Sequence, residues 1–288
     1  MSWRTIVISS SAKLDYQLGF MVVRKEDTVK IHIDEIETIL IETTAVSLTA
    51  ALLSELSRKK IKVIFCDEKR NPSSELVSYY GAHDTSVKIK RQIAWEEGVK
   101  KAVWTEIVTD KIRKQAEHLY ERRCEEYKLL EQYISEIEFG DVTNREGHAA
   151  KVYFNALFGK DFSRTKENSI NAALNYGYSL LLSSFNREIV SNGYLTQLGI
   201  FHDNMFNSFN FASDLMEPYR IAIDRRVYDM MPDKFEHEEK MELVNILQNE
   251  VKIAGRAEYL SNSIKIYAKS VFDALNDNDS SAIKFYEV

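Results

Sequence analysis

Apolar and polar positions alternate over short runs in the first third of this chain and recur at helical spacing in the rest. Residues 4–8, 16–23, 28–33 and 37–42 read as strands, with residues 28–33 alternating as a half-buried strand does. Lys25-Glu26-Asp27 fits a hairpin turn. Residues 44–58 read as a helix carrying Val46, Leu48, Ala51, Leu52, Leu53 and Leu56. Residues 61–66 read as a buried strand, and Asn71-Pro72-Ser73-Ser74 as a turn. From about Ser86 the period turns helical, over residues 87–111, 113–137, 141–157, 169–191, 213–230, 240–249 and 256–275. No internal repeat or low-complexity linker interrupts the pattern. The expectation is an α+β protein. A small β-rich domain over residues 1–85 precedes a larger all-helical domain over residues 86–288.

Composition agrees. The 288 residues include only 10 glycines and 3 prolines, which favours long helices over a loop-rich all-β fold. No apolar run is long enough to span a bilayer, and Met1-Ser2-Trp3-Arg4-Thr5-Ile6 lacks the layout of a signal peptide. Cys66 and Cys124 are the only cysteines, one in an apolar strand and one among charges, so neither a disulfide framework nor a cysteine metal site is expected. These features predict a reduced, cytoplasmic protein with no membrane partner. The net charge of −6 argues against polyanion binding by sheer charge. The charge is uneven, however: residues 88–130 hold 11 basic and 8 acidic side chains, residues 231–288 hold 7 and 11. A DNA reader of this composition needs a local basic surface and also some acidic residues that hold metal cations between protein and phosphate.

Three segments could carry such chemistry. In the first, Asp141 and Thr143 offer caps ahead of Asn144-Arg145-Glu146-Gly147-His148-Ala149-Ala150, which puts Glu146 in a first helical turn. By itself Glu146 does no more than complement the helix dipole. In the second, His202 follows the apolar pair Ile200-Phe201 and fits a metal ligand, a base or a satisfied core histidine. The third is Ser213-Asp214-Leu215-Met216-Glu217-Pro218-Tyr219-Arg220 with Asp224. Ser213 reads as its cap, and Asp214, Glu217 and Asp224 share one helical face if the helix is continuous. Packed carboxylates of this kind want a cation or an arginine. Glu146, His202 and Glu217 together form a hard-oxygen set with one nitrogen and no thiolate, which suits Mg²⁺ or Mn²⁺ rather than zinc. Spacing alone does not bring the three together.

Several of these pieces resemble one family. Glu146-Gly147 through Tyr153-Phe154, Leu157-Phe158-Gly159, and Asn171-Ala172-Ala173-Leu174-Asn175-Tyr176-Gly177-Tyr178 are three of them. Gly199-Ile200-Phe201-His202 and Asp214-Leu215-Met216-Glu217-Pro218-Tyr219-Arg220 with Asp224 complete the set. In this order they are similar to the motifs of the CRISPR adaptation integrases, most like the version from type II systems. The resemblance implies a metal-dependent DNA endonuclease or integrase that acts in spacer acquisition. It would join the 3′-hydroxyls of a captured double-stranded DNA fragment to the boundaries of CRISPR repeat DNA by transesterification. It implies Glu146, His202 and Glu217 as catalytic residues and ligands of Mg²⁺ or Mn²⁺, with Asp214 lining the same pocket and Arg220 supporting it. The third ligand is Asp in many family members and Glu here. Lys151 and Arg164 are candidate phosphate contacts, or ordinary solvated charges. The implied partners are a second copy of the chain, as a homodimer formed through the β-rich domain, and a small ferredoxin-like adaptation protein in a heterohexamer. The type II effector nuclease and an accessory adaptation protein are implied further out. A partner-independent metal nuclease and a non-catalytic DNA-binding scaffold are the alternatives.

Overall fold

The computed structural model describes residues 4–78 and 82–287. Met1, Ser2 and Trp3, part of the chain start discussed above, lie outside the described residues. The chain divides into two compact units, residues 1–85 with 190–193, and residues 86–189 with 194–288.

The first unit holds β1 (Arg4–Ile8), β2 (Ala12–Gln17), β3 (Phe20–Arg24), β4 (Thr28–His32), β5 (Ile36–Ile41), β6 (Val46–Leu48), α1 (Ala50–Arg58), β7 (Lys62–Cys66) and β8 (Pro72–Glu75). They form two four-stranded sheets, ordered β1-β5-β7-β8 and β4-β3-β2-β6. Strand β5 lies parallel between β1 and β7 with all six residues buried, as expected of a strand covered on both faces. Leu14, Met21, Ile36, Ile39, Leu52, Leu56 and Val63 fill the core of this unit.

Three local expectations change here. Residues 16–23 are not one strand: Leu18 and Gly19, both at positive φ, form a two-residue turn that pairs Gln17 with Phe20. The apolar Leu18, 96% exposed, disguises the turn. Val46 and Leu48 leave the expected helix for β6, parallel to β2, and Thr49 caps α1 by accepting from the Leu52 amide. Residues 71–74 are not a turn. Pro72 opens the edge strand β8, where its missing N–H costs no ladder bond.

The second unit holds α2 (Thr85–Ala94), α3 (Glu97–Glu121), α4 (Tyr127–Ser135), α5 (Arg145–Phe158), α6 (Ser169–Ser191), α7 (Asn210–Leu215), α8 (Arg220–Met230), α9 (His237–Asn245), β9 (Glu250–Ile253), β10 (Arg256–Tyr259), α10 (Leu260–Asp277) and β11 (Tyr286–Glu287). The axis is α3, 25 residues and ~37 Å long, with α4, α5, α8 and α10 against it. Its extent differs from the pattern-based reading. The first break comes at Trp95-Glu96, where Trp95 is buried and its indole donates to Asn276. The second comes only after Glu121, with Arg123 left-handed at φ 59°. No proline or in-place glycine marks either break.

The expected helix over residues 213–230 is two helices separated by a 3₁₀ turn, Glu217–Tyr219, in which Pro218 sits at the start. Ser213 is therefore not a cap. It lies inside α7 and its hydroxyl donates back to the Phe209 carbonyl, 2.9 Å away. The unit is mostly helical rather than all-helical: β10, β9 and β11 form a small antiparallel sheet. Residues 256–259, expected at the start of the last helix, are β10.

Gly177 positions the framework around the site. A Cβ there would lie 2.4 Å from Cγ2 of Ile223, so only glycine lets α6 and α8 approach this closely.

Candidate metal centre

Glu146 stands in the first turn of α5. The carboxylate of Asp141 accepts from the Arg145 and Glu146 amides, at 2.7 and 3.1 Å, and Asn144 accepts from Gly147. These two side chains satisfy donors that the helix leaves open. Thr143, the other expected cap, takes no part: its hydroxyl is buried with no hydrogen-bond partner.

His202 follows a tight approach of backbone to carboxylate. Asp214, fully buried on α7, accepts from the amides of Ile200 (2.7 Å), Phe201 (3.1 Å) and His202 (3.0 Å), and bonds Nδ1 of His202 at 2.6 Å. A Cβ on Gly199 would meet the His202 carbonyl at 2.4 Å and Asp214 Oδ2 at 2.7 Å, so this wrap requires glycine. The Phe201 ring stacks on the buried Trp104 of α3, with centroids 4.2 Å apart, which seats the segment. Asp214 thus orients the imidazole and leaves Nε2 as the nitrogen for a ligand, the arrangement that fixes metal-binding histidines. The bond to Asp214 raises the imidazole above its ordinary value. Burial opposes that rise, and the Glu217 and Glu146 carboxylates add to it.

Glu217 opens the 3₁₀ turn and is 4% exposed. Its Oε1 accepts from Nε of Arg220 at 3.0 Å and its Oε2 from Nζ of Lys111. Burial works against the charged form of Glu217. The Arg220 guanidinium and the Lys111 ammonium outweigh it and hold the carboxyl below its usual range. The same Lys111 Nζ also donates to Oε1 of Glu146. Two carboxylates from separate segments therefore converge on one cationic centre, and the imidazole of His202 lies within their field.

Behind this centre, Asp224 accepts from the Tyr178 hydroxyl at 2.5 Å, and the Arg220 guanidinium lies 4.5 Å from the Tyr178 ring centre. Burial pushes the Asp224 carboxyl up to about 6, although the Tyr178 bond, Arg220, Lys111 and Arg164 all pull it down.

The three acidic residues of the third segment thus do not share one face, because the 3₁₀ turn breaks the helix between them. Asp214 serves His202, Glu217 meets Lys111 and Arg220, and Asp224 meets Tyr178. Lys151 is exposed and lies ~140° around α5 from Glu146. Arg164 is not a solvated charge. Its guanidinium bonds Asn171 and Asn175 and covers the rings of Phe154 and Tyr178.

Lys111 is the site residue that sequence reasoning missed. The available signal was a lysine on the apolar stripe Trp104-Ile107-Val108-Lys111, at helical spacing and buried with its neighbours.

Among the described residues, no group of three or more His, Cys, Asp or Glu side chains stands close enough together to hold a metal ion. The donors nevertheless fit a hard divalent cation. Two carboxylates already share one positive partner, and an imidazole that feels both charges is fixed through one ring nitrogen by Asp214.

The model of the family described as "CRISPR associated protein Cas1" matches residues 5–252. The chain belongs to the Cas1 family. A CRISPR-associated endonuclease Cas1 from Neisseria meningitidis serogroup C (strain 8013) is 35% identical over 229 residues, which cover 79% of this chain and 75% of the relative. Two solved structures share the fold. A casposase bound to integration product aligns with a TM-score of 0.77 at 16% identity, over 98% of this chain and 93% of that one. A Cas6-RT-Cas1–Cas2 complex aligns with a TM-score of 0.76 at 20% identity. That match covers 97% of this chain but 36% of the longer one, so the chain spans about a third of that neighbour's length. Among the described residues, no helix is long and apolar enough to cross a membrane.

Proposed function

We propose that this Cas1-family chain is the DNA integrase of CRISPR spacer acquisition, and that it joins the 3′-hydroxyls of a captured double-stranded fragment to CRISPR repeat boundaries by transesterification. The observation that carries the reading is the convergence of Glu146 and Glu217 on one cationic position beside an Asp214-oriented His202. Glu146, His202 and Glu217 would hold Mg²⁺ or Mn²⁺. When bound, the ion supplies Lewis-acid activation of the scissile phosphate and neutralises charge on the leaving oxygen.

The chain's own residues do the rest. Asp214 keeps the His202 ring in one tautomer and orientation. Arg220 holds one Glu217 oxygen and so fixes the direction of the other. Tyr178 and Asp224 brace Arg220 from behind, with the Arg220 guanidinium over the Tyr178 ring. The rings of Trp104 and Phe201 pack edge-on against the imidazole and help hold its orientation. Positioning and charge neutralisation of this kind suffice for phosphodiester exchange without a covalent enzyme intermediate.

The relatives support the setting. The curated relative is named a CRISPR-associated endonuclease, one structural neighbour is described as bound to an integration product, and another as a complex with Cas2. The neighbour described as a complex with Cas2 supports an adaptation partner for this chain, which we propose to be a small ferredoxin-like protein bound to a homodimer of the chain.

The test is strand joining of a labelled fragment to a repeat-containing plasmid, with and without the adaptation partner and with and without Mg²⁺ or Mn²⁺. The integrase reading predicts joined product only with both present. Metal-dependent cutting that ignores the partner and never joins would make the protein a nuclease. Binding with no metal-dependent chemistry would make it a scaffold.

A further inference from the structure

Lys111 is a buried lysine whose ammonium is spent on the two carboxylates assigned above as ligands. It lies mid-way along α3 with its side chain 8% exposed, and it donates to Glu146 on α5 and to Glu217 on the 3₁₀ turn. The neighbouring buried charges on α3 are otherwise engaged: Lys114 pairs with Asp110 at 2.7 Å. Nothing in the local helix therefore explains Lys111. Its partners are 35 and 106 residues away in sequence and belong to the proposed metal centre.

We propose that Lys111 is the resident cation of the metal-free site, one that a divalent ion must displace to bind between Glu146 and Glu217. The inference rests on the reading of Glu146, His202 and Glu217 as the metal site. The buried carboxylate of Glu217 and the three-quarters buried one of Glu146 repel each other without a cation and are poorly solvated, so a site that folds before it is loaded needs a substitute charge. An ammonium within hydrogen-bond reach of both carboxylates supplies it. The same ammonium occupies the space and cancels the charge that attract a divalent ion, and a lysine and a divalent ion in one position repel each other.

Residue type fits this division of labour. Arg220, on the other oxygen of Glu217, is a planar group locked over Tyr178 and stays in place. Lysine is a point charge on a flexible four-carbon stem and can withdraw by rotating its side chain. The protein thus folds and is stored with its ligand carboxylates neutralised, and metal affinity is set by the exchange of one cation for another.

Lys111→Met keeps the side chain as far as Cε and removes the ammonium with its charge. Isothermal titration of the full-length protein with Mn²⁺ alone, and thermal unfolding with and without Mn²⁺, read the effect without any catalytic assay. The variant should melt below the wild type without metal, bind Mn²⁺ at least about tenfold more tightly, and gain more in melting temperature on saturation with Mn²⁺. Equal or weaker Mn²⁺ binding by the variant would overturn the proposal while leaving the metal site standing. Failure of Mn²⁺ to bind either protein would remove the site itself, and this inference with it. Should the variant not fold, a crystal structure of the wild type with Mn²⁺ decides. The ammonium is expected out of hydrogen-bond reach of at least one of Glu146 and Glu217, and an ion seated with Lys111 still bridging both would contradict it.

Discussion

His118 is a fully buried imidazole on α3, bonded to the Tyr153 hydroxyl at 2.7 Å and approached by Nε of Arg122 at 3.2 Å. Burial, with the nearby Arg225 and Arg122 charges, pushes it down to about 3. The unfolded chain takes up this proton as the pH drops below ~6.5, whereas the folded chain refuses it until about 3. Stability from this ring is therefore complete above the unfolded value and is lost progressively as the pH falls between the two. At ~1.4 kcal/mol per unit, the full term is roughly 3–5 kcal/mol. His118→Gln retains a partner for Tyr153 but cannot titrate. Its urea-unfolding free energy should fall less steeply than the wild type's from pH 6.5 to pH 4, and parallel curves would contradict the assignment. At the candidate centre, Asp214→Asn keeps the size of the side chain that holds Nδ1 of His202 but weakens its control of the tautomer. Joining should drop ~10–100-fold with DNA binding retained, measured as single-turnover product formation. An unchanged rate would mean that His202 does not depend on Asp214. Single residues were only partly legible in the sequence. Glu146, Asp214 and Glu217 stood out as carboxylates near helix ends or in packed turns. The partner of each depends on contacts across 12 to 106 residues, which no local pattern carries.

At the scale of elements, the crossing of α6 and α8 is the joint that sets Tyr178 against Asp224. Gly177→Ala would force a Cβ to within 2.4 Å of Ile223 Cγ2. Alanine is the better helix former by ~1 kcal/mol, but overpacking at a site this tight costs ~1–3 kcal/mol, and Ile223 is 1% exposed with no room to retreat. The variant should be less stable by denaturant unfolding, and the double variant with Ile223→Ala should lose less than the sum of the two single losses, because the small side chain removes the clash. If Gly177→Ala is neutral, the close approach does not constrain the joint. Elements were legible where burial and period agree. The fully buried β5 reads as an unbroken apolar run, and α6 as a periodic helix over residues 169–191. They were hidden where a turn is made by an apolar residue, as at Leu18, or where a helix breaks without proline or glycine, as at Trp95 and after Glu121. The small sheet of β9, β10 and β11 was hidden for another reason. Its strands run two to four residues, too short for alternation to register.

For the whole molecule, β4 is one edge strand of its sheet, and Val29 on it is 53% exposed. Edge strands with exposed apolar residues need a cover, and a two-fold pairing of the first units would supply one while providing the two active sites that a two-ended insertion requires. Light scattering at micromolar concentration should therefore give about twice the 33.4 kDa of one chain; a monomer mass would count against this arrangement. Membership of the Cas1 family and the division into a β-rich and a mostly helical part are the features of the molecule most visible in its sequence, since ordered motifs and a change of period survive local error. The separation of the third segment into two helices is the feature least visible, because Pro218 is tolerated at a helix start and in a 3₁₀ turn alike. Glu146, His202 and Glu217 are proposed as the metal centre that drives strand joining. The most direct measurement is the joining rate on repeat DNA, with Mg²⁺ or Mn²⁺ and the adaptation partner, for the wild type and for Glu146→Ala, His202→Ala, Glu217→Ala and Glu217→Asp. Each alanine variant should fold and bind the fragment yet lose joining by at least about 10³-fold, and Glu217→Asp should keep part of it. A wild-type joining rate in any alanine variant would contradict this proposal.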